Sequence, residues 1–265
     1  MLYIVGTPLG NLGDISKRAI ETLNSVDLIA CEDTRHSLRL LNALEIKKPL
    51  VAYHKFNERE ASKKLVQELL AGKNIALITD AGMPVISDPG NILIEEVIAN
   101  GIEFTVVPGA CAFVSALVLS GLKADRFCFL GFLPDKEGER KRYIEKYKAL
   151  DTTLIFYSAP HDVNKNLKSL YEVLGDRRAV MVREITKMYE EREDLTLGAF
   201  EEKERRGEYV ILVEGDDNKD VLALSEKEHI ELYLSQGMDK KEALKLVAKE
   251  RGVSKSSLYK YTIED

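Results

Sequence analysis

Short apolar runs alternating with helical patterns organise the first half of the chain. Leu2–Val5, Asp27–Cys31, Leu50–Tyr53, Ile75–Ile78 and Glu103–Val107 read as buried strands. Between them a helix begins near Ile15, another spans Ser37–Leu44, a third runs to Leu70, and a fourth covers roughly Ile92–Asn100. Asp14 or Ser16 is placed to cap the first helix, and Gly72 and Gly101 stop the third and fourth. This alternation predicts an open α/β sheet.

Near residues 121–126 the pattern changes. Phe127–Phe132, Thr153–Tyr157, Ala179–Glu184 and Gly207–Gly215 read as strands, with one helix after residue 142 and another through about Leu174. Fewer helices per strand predict a mixed sheet. The segment 133–142 (L-P-D-K-E-G-E-R-K-R) reads as a charged loop entering a helix, and Tyr189–Arg206 as a charge-rich connection. A boundary around Leu119–Arg126 gives α/β domains at 1–121 and 122–215, followed by 216–265 as linker and helical segment. Within that segment, 216–220 is polar, and helical patterns occupy Glu226–Ser235, Lys240–Lys249 and Ser254–Tyr261. The last pair has the size of a helix-turn-helix, and its lysine excess fits a phosphate-contacting face or a solvated helical cap.

The loops after the strands carry the chemistry. Residues 78–90, I-T-D-A-G-M-P-V-I-S-D-P-G, follow a buried strand and precede a helix. Gly82 and Gly90 permit positive φ or close approach, and Pro84 and Pro89 stiffen the loop between them. The string P-G-A-C-A at 108–112 makes a second strand–turn–helix junction with free amide donors. Two such loops on one array predict a shared ligand edge. The first loop, G-T-P-L-G-N-L-G-D, matches neither the dinucleotide spacing nor a phosphate loop. An acidic pair followed by T-R-H (32–36) leaves the second strand, as a ligand loop or as a solvated helix cap.

Composition narrows the class further. The 265 residues are 45% hydrophobic and 31% charged, which suits a globular chain of two modest domains. No apolar run reaches membrane-spanning length, and Leu2–Val5 has no basic segment before it, so neither a span nor a signal peptide is expected. Three widely spaced cysteines predict reduced thiols in the cytoplasm, and four scattered histidines predict no metal site. A net charge of −6 leaves nucleic acid open, because phosphates reward local patches.

Taken together, these strings resemble the tetrapyrrole-methylase superfamily of S-adenosylmethionine-dependent methyltransferases. The branch is the one that 2′-O-methylates a cytidine ribose of bacterial small-subunit (16S) ribosomal RNA. The resemblance rests on residues 5–15, 27–36, 80–90 and 107–112, and continues through G-F-L-P, A-P-H, R-E-I-T-K and G-E-Y-V-I-L-V-E-G, covering essentially the whole chain. It implies two α/β domains with the cofactor in the cleft between them, a small C-terminal helical segment, and a homodimer. Met83 stands where the branch commonly has Thr, and Asp162 where Arg is expected after A-P-H.

The resemblance further implies that S-adenosylmethionine contacts Leu9, Asp80, Gly82, Met83, Ile86, Cys111, Ala112 and Phe156. Cys111 then packs against the cofactor rather than acting as a nucleophile. A ribose hydroxyl is a weak acid, so a base or an orienting group is expected. Candidates are Glu32, Asp33, His36 and the Glu184/Lys187 pair, with Glu32, Glu184 and Lys187 preferred. Arg35, His36 and Arg183 are candidates for RNA contact. The 2′-hydroxyl excludes DNA as substrate, and the acceptor is expected in the assembled small subunit. Two rivals stay open: methyl transfer to a tetrapyrrole or other small metabolite, and a non-catalytic α/β ligand-binding module.

Overall fold

The structure, a computed structural model, describes residues 1–216, 224–235 and 237–261. Five strands, β1 (Leu2–Val5), β2 (Leu28–Cys31), β3 (Leu50–Ala52), β4 (Ile75–Leu77) and β5 (Phe104–Val107), form a fully parallel sheet in the order β3-β2-β4-β1-β5. Four helices connect them: α1 (Lys17–Ser25), α2 (Thr34–Ala43), α3 (Glu58–Leu70) and α4 (Asn91–Ala99). Alternating strand residues feed two cores. Leu2, Ile4, Ile75 and Leu77 pack with the α3 and α4 side chains Leu65, Leu69, Leu93 and Val97. On the other face Val5, Ile29, Cys31 and Ala76 pack with Ala19, Leu23 and Leu41. Both faces are covered, which is why the strands are apolar without alternation.

Helix α5 (Ala112–Ser120) leaves the edge strand β5 and packs on a second sheet. That sheet holds β6 (Phe127–Phe132), β7 (Thr153–Ser158), β8 (Arg178–Arg183), β9 (Glu191–Thr196) and β10 (Tyr209–Val213), in the order β6-β7-β10-β8-β9. Only β6 and β7 are parallel, so the sheet is mixed as the sequence predicts. Its far face is covered by α6 (Glu137–Glu145) and α7 (Val163–Leu174), through Ile144, Leu167 and Leu170.

Four local expectations need correction. Helix α2 begins at Thr34 rather than Ser37, because Asp33 accepts the Arg35 amide at 2.8 Å and starts the helix early. The charged segment 133–142 is not a loop throughout: α6 begins at Glu137. Buried Arg140 anchors it, donating to Ser169 Oγ at 2.9 Å, Pro134 O at 3.1 Å and Asp135 O at 2.7 Å. The charge-rich stretch 189–206 contains the edge strand β9. Finally, the C-terminal helices α8 (Glu226–Ser235) and α9 (Lys240–Arg251) are followed by α10 (Lys255–Leu258), only four residues long. They share a small core of Ile230, Tyr233, Ala243, Leu244, Val247 and Leu258. The linker expected at 216–220 lies, beyond Asp216, outside the described residues.

Candidate active site

Strands β4, β1 and β5 are neighbours, so the loops leaving their carboxyl ends meet at one edge. Thr7 and Gly82 exchange backbone hydrogen bonds at 2.9 and 3.1 Å, and Thr7 Oγ1 donates to Thr79 O at 3.1 Å. Gly6 and Gly109 touch so closely that a Cβ on Gly109 would lie 2.7 Å from the Gly6 Cα. The loop between β4 and α4 is held in a rare conformation, with φ at +85° for Gly82, +77° for Val85 and +66° for Ser87. Positive φ at a β-branched residue such as Val85 persists only where its surroundings enforce it, and it concentrates at ligand sites.

Across from this edge, the ends of β7 and β8 and the start of β10 make a second wall. Between the walls lies a cavity of about 320 Å³. Leu9, Gly82, Met83, Ile86, Cys111 and Ala112 line it from the first sheet, and Tyr157, Glu184, Lys187 and Glu208 from the second. Lys187 closes one side: its methylene chain occupies the space where a side chain on Gly10 would lie. Its ammonium binds Glu184 Oε1 at 3.1 Å and Glu208 Oε2 at 2.9 Å. Glu184 also accepts the Glu208 amide at 2.8 Å, and its own φ is +46°. Both walls therefore carry constrained backbone.

Electrostatics separate the candidate groups. Burial opposes ionisation of Glu184, yet the Glu208 amide and Lys187 outweigh it and hold its carboxyl below the usual value. Burial likewise disfavours the Lys187 charge, but Glu208 and Glu184 overcome it and raise its pKa. This pair is an anchored ion pair, and Glu184 is a weak base. Burial pushes the Cys111 thiol up, which suits packing rather than nucleophilic attack. Burial, with the nearby Cys111 adding, also raises the Tyr157 phenol, which stays neutral.

Asp88, within the 78–90 string but not singled out by sequence reasoning, lines the cleft. Burial and then the Glu32 charge push its carboxyl up to about 6, with Asp80 adding and the Thr79 hydroxyl opposing. Neutral Asp88 is thus favoured in the folded state: this stabilisation is full below about pH 4 and is lost as pH rises through about 6. Asp88→Asn is expected to unfold at higher urea than the parent at pH 8, by about 1 kcal/mol after discounting solvent screening, with the gap closing below pH 4. Equal midpoints at pH 8 would count against a strained charge.

The remaining predicted residues sit elsewhere. Phe156 is a correction: it is fully buried in the core against α7, and its neighbour Tyr157 is the β7 side chain that faces the cleft. Glu32 and Asp80 stand behind the loop rather than on the cavity wall. Thr79 Oγ1 donates to Glu32 at 3.4 Å, and Asp80 accepts the Asp33 amide at 3.2 Å. Burial first, then Asp80, raises the Glu32 pKa. Arg35 is exposed and paired with its own cap, Asp33, at 3.0 Å, while His36 is exposed beside it. Arg183 pairs with Glu191 at 2.8 Å, outside the cavity. Among the described residues no cluster of His, Cys, Asp and Glu has the makings of a metal site, and no helix is long and apolar enough to cross a membrane.

Comparison with known proteins agrees with this architecture. Residues 1–201 match the profile of the Tetrapyrrole (Corrin/Porphyrin) Methylases. The chain is 43% identical to ribosomal RNA small subunit methyltransferase I of Bacillus subtilis, over 98% of this chain and 92% of that protein. It is 44% identical to the protein of the same name from Haemophilus influenzae, over 98% and 95%. Among solved structures, a diphthine synthase superposes with a TM-score of 0.64 at 15% identity, covering 81% of this chain and 89% of its own, a likeness of fold. The paired sheets, the cleft between them and the match over most of the chain agree: this protein belongs to the tetrapyrrole (corrin/porphyrin) methylase family.

Proposed function

We propose that this protein transfers a methyl group from S-adenosylmethionine to the ribose 2′-hydroxyl of a cytidine in small-subunit ribosomal RNA. The observation that carries the reading is near-full-length identity above 40% to relatives named for small-subunit ribosomal RNA methylation. The cleft fits the cofactor. A Cβ on Gly82 would lie 3.1 Å from Leu9 Cδ2, so only glycine leaves the floor open there. Leu9, Met83 and Ile86 offer apolar surface, and the glycine-shaped loop offers backbone groups.

S-adenosylmethionine, when bound, supplies the methyl group on a positively charged sulfur. The protein aligns donor and acceptor and takes up the hydroxyl proton. Leu9, Gly82, Met83, Ile86, Cys111 and Ala112 hold the cofactor, and Asp80 fixes the loop through the Asp33 amide. We assign the proton to Asp88, whose carboxyl near 6 is a better acceptor at neutral pH than Glu184. Glu32 then supports Asp88 from behind the loop, and the Lys187 clamp positions the acceptor. Arg35 and His36, on the first turn of α2, and Arg183 meet the flanking phosphates.

The test uses labelled S-adenosylmethionine and assembled small subunits lacking their ribose methylations. Label at the 2′-oxygen of one cytidine is expected; label that appears only in a tetrapyrrole, or nowhere, sinks the reading. We also propose a homodimer working in the cytoplasm, where assembled subunits are found. The unpaired edge of β5 exposes Phe104 and Val106, and α5 exposes Val114 and Val118. Sedimentation equilibrium at micromolar concentration should give twice the chain mass, and a monomer mass would end that part.

A further inference from the structure

The chain as a whole is acidic at −6, yet positions 240–261 hold seven basic residues and two acidic ones. Helix α9 turns Ala243, Leu244, Val247 and Ala248 into the small C-terminal core. Its outer side carries Lys241, Lys245 and Lys249, all exposed. Four residues of helix rise about 6 Å, so the three ammonium groups form a stripe along one side. Several helix lysines elsewhere are matched by carboxylates a turn away, as Lys17 is by Glu21, Lys64 by Glu60 and Lys141 by Glu137. Among the described residues no carboxylate pairs with Lys241, Lys245 or Lys249.

Of the two acids on α9, exposed Glu242 makes no ion pair with the stripe, and Glu250 is drawn to partners on α8. Glu250 is held by His229 Nε2 at 3.0 Å and by the Tyr233 hydroxyl at 2.9 and 3.0 Å. Like charges one turn apart disfavour a helix unless something outside compensates them. Beyond Gly252, the Lys255 ammonium lies 5.9 Å from the ring of Tyr259, a half-exposed aromatic. Cations with an exposed ring beside them suit a single strand, whose phosphates and bases need both.

We propose that the Lys241–Lys245–Lys249 stripe of α9 is a docking surface for the phosphate backbone of RNA, holding the substrate outside the methyl-transfer cleft. This rests on the ribosomal RNA reading above. A lipid surface suits the stripe poorly, because the apolar side of α9 is already buried and has nothing to insert. Base-sequence readout by a helix-turn-helix suits it poorly as well, because α10 spans only Lys255–Leu258. The stripe therefore supplies affinity and salt dependence, while the cleft supplies selection.

The test is equilibrium binding of a labelled small-subunit ribosomal RNA fragment to the full chain across a salt series. The triple variant K241Q/K245Q/K249Q is expected to bind roughly 10- to 100-fold more weakly at moderate salt, with its log–log salt slope flatter by about 2. Its thermal unfolding and its affinity for S-adenosylmethionine should match the parent, and K241R/K245R/K249R should restore both affinity and slope. Equal affinity and slope for the glutamine variant would overturn the proposal. So would loss of binding to vesicles containing anionic phospholipid with RNA binding intact, or a parent chain that binds no RNA. In the last case, methyl transfer to assembled subunits judges the functional reading separately, since it is measured without the binding assay.

Discussion

Gly82→Val is expected to lower the affinity for S-adenosylmethionine by roughly 100-fold while leaving the protein folded. Gly82 is buried with φ at +85°, a conformation that costs a β-branched residue about 1–2 kcal/mol. Its new Cβ would press on Leu9 at 3.1 Å and approach the Ala110 carbonyl at 3.5 Å. Leu9 is the piece that can yield, and the cavity is the space beside it. The φ strain falls on folding with or without cofactor, whereas Leu9 pushed into the cavity opposes binding by about 1–3 kcal/mol, whose upper end is the 100-fold loss. Calorimetric titration of the cofactor measures it, with circular dichroism as the control for folding. Parent-like affinity would mean that the cofactor lies away from this loop.

Lys187→Met is expected to reduce methyl transfer about 100-fold, with a smaller change in cofactor affinity. The methionine keeps the chain that lies on Gly10 but removes the charge between Glu184 and Glu208. Two carboxylates are then left facing each other at the mouth of the cleft, without the cation that orders them. In a half-exposed site, losing one partner of such a network costs about 2–3 kcal/mol. Adding Glu208→Gln should recover part of the loss, because it removes one uncompensated charge. Steady-state kinetics separate kcat from KM for each variant. A parent-like kcat in Lys187→Met would show that the clamp is idle in turnover.

Much of the fold was legible because its strands and punctuation follow local rules. The five strands of the first sheet are apolar runs, and Gly72 and Gly101 follow α3 and α4. Strand β9 was hidden because E-R-E-D-L-T is an edge strand exposed on most positions, so no apolar alternation marks it. Which β7 side chain faces the cleft is hidden for the opposite reason. Strand β7 is buried along nearly its whole length, with α7 covering one face and α5 the other, so periodicity carries no sign of which residue faces the cleft.

The acidic candidates divide along similar lines. Glu32 and Asp80 flank the right loop, but whether a carboxylate reaches the cavity or stands behind it depends on contacts between residues far apart in sequence. Asp88 was visible in the string I-S-D-P-G, yet only the packed loop sets it beside Glu32 and lifts its carboxyl. Lys187 was found by motif, while its partner Glu208 comes from β10's approach, brought alongside β8 by antiparallel pairing.

The place of β1 in the sheet has a consequence for how the chain assembles. Leu2 pairs with Ile75 on one side and with Phe104 on the other. On a ribosome, where synthesis runs from the amino end, β1 must wait unpaired until both of its neighbours, β4 and β5, have emerged. Closing such long loops carries an entropic cost before any pairing repays it, which makes this sheet slow to nucleate. The loop after β1 and the turn at Gly109 meet only when β5 has docked, so the floor of the cleft is completed last. A nascent chain stopped short of β5 is therefore not a smaller working domain but a sheet whose first strand is paired on one side only. Cofactor binding then reports that synthesis of the first sheet is finished.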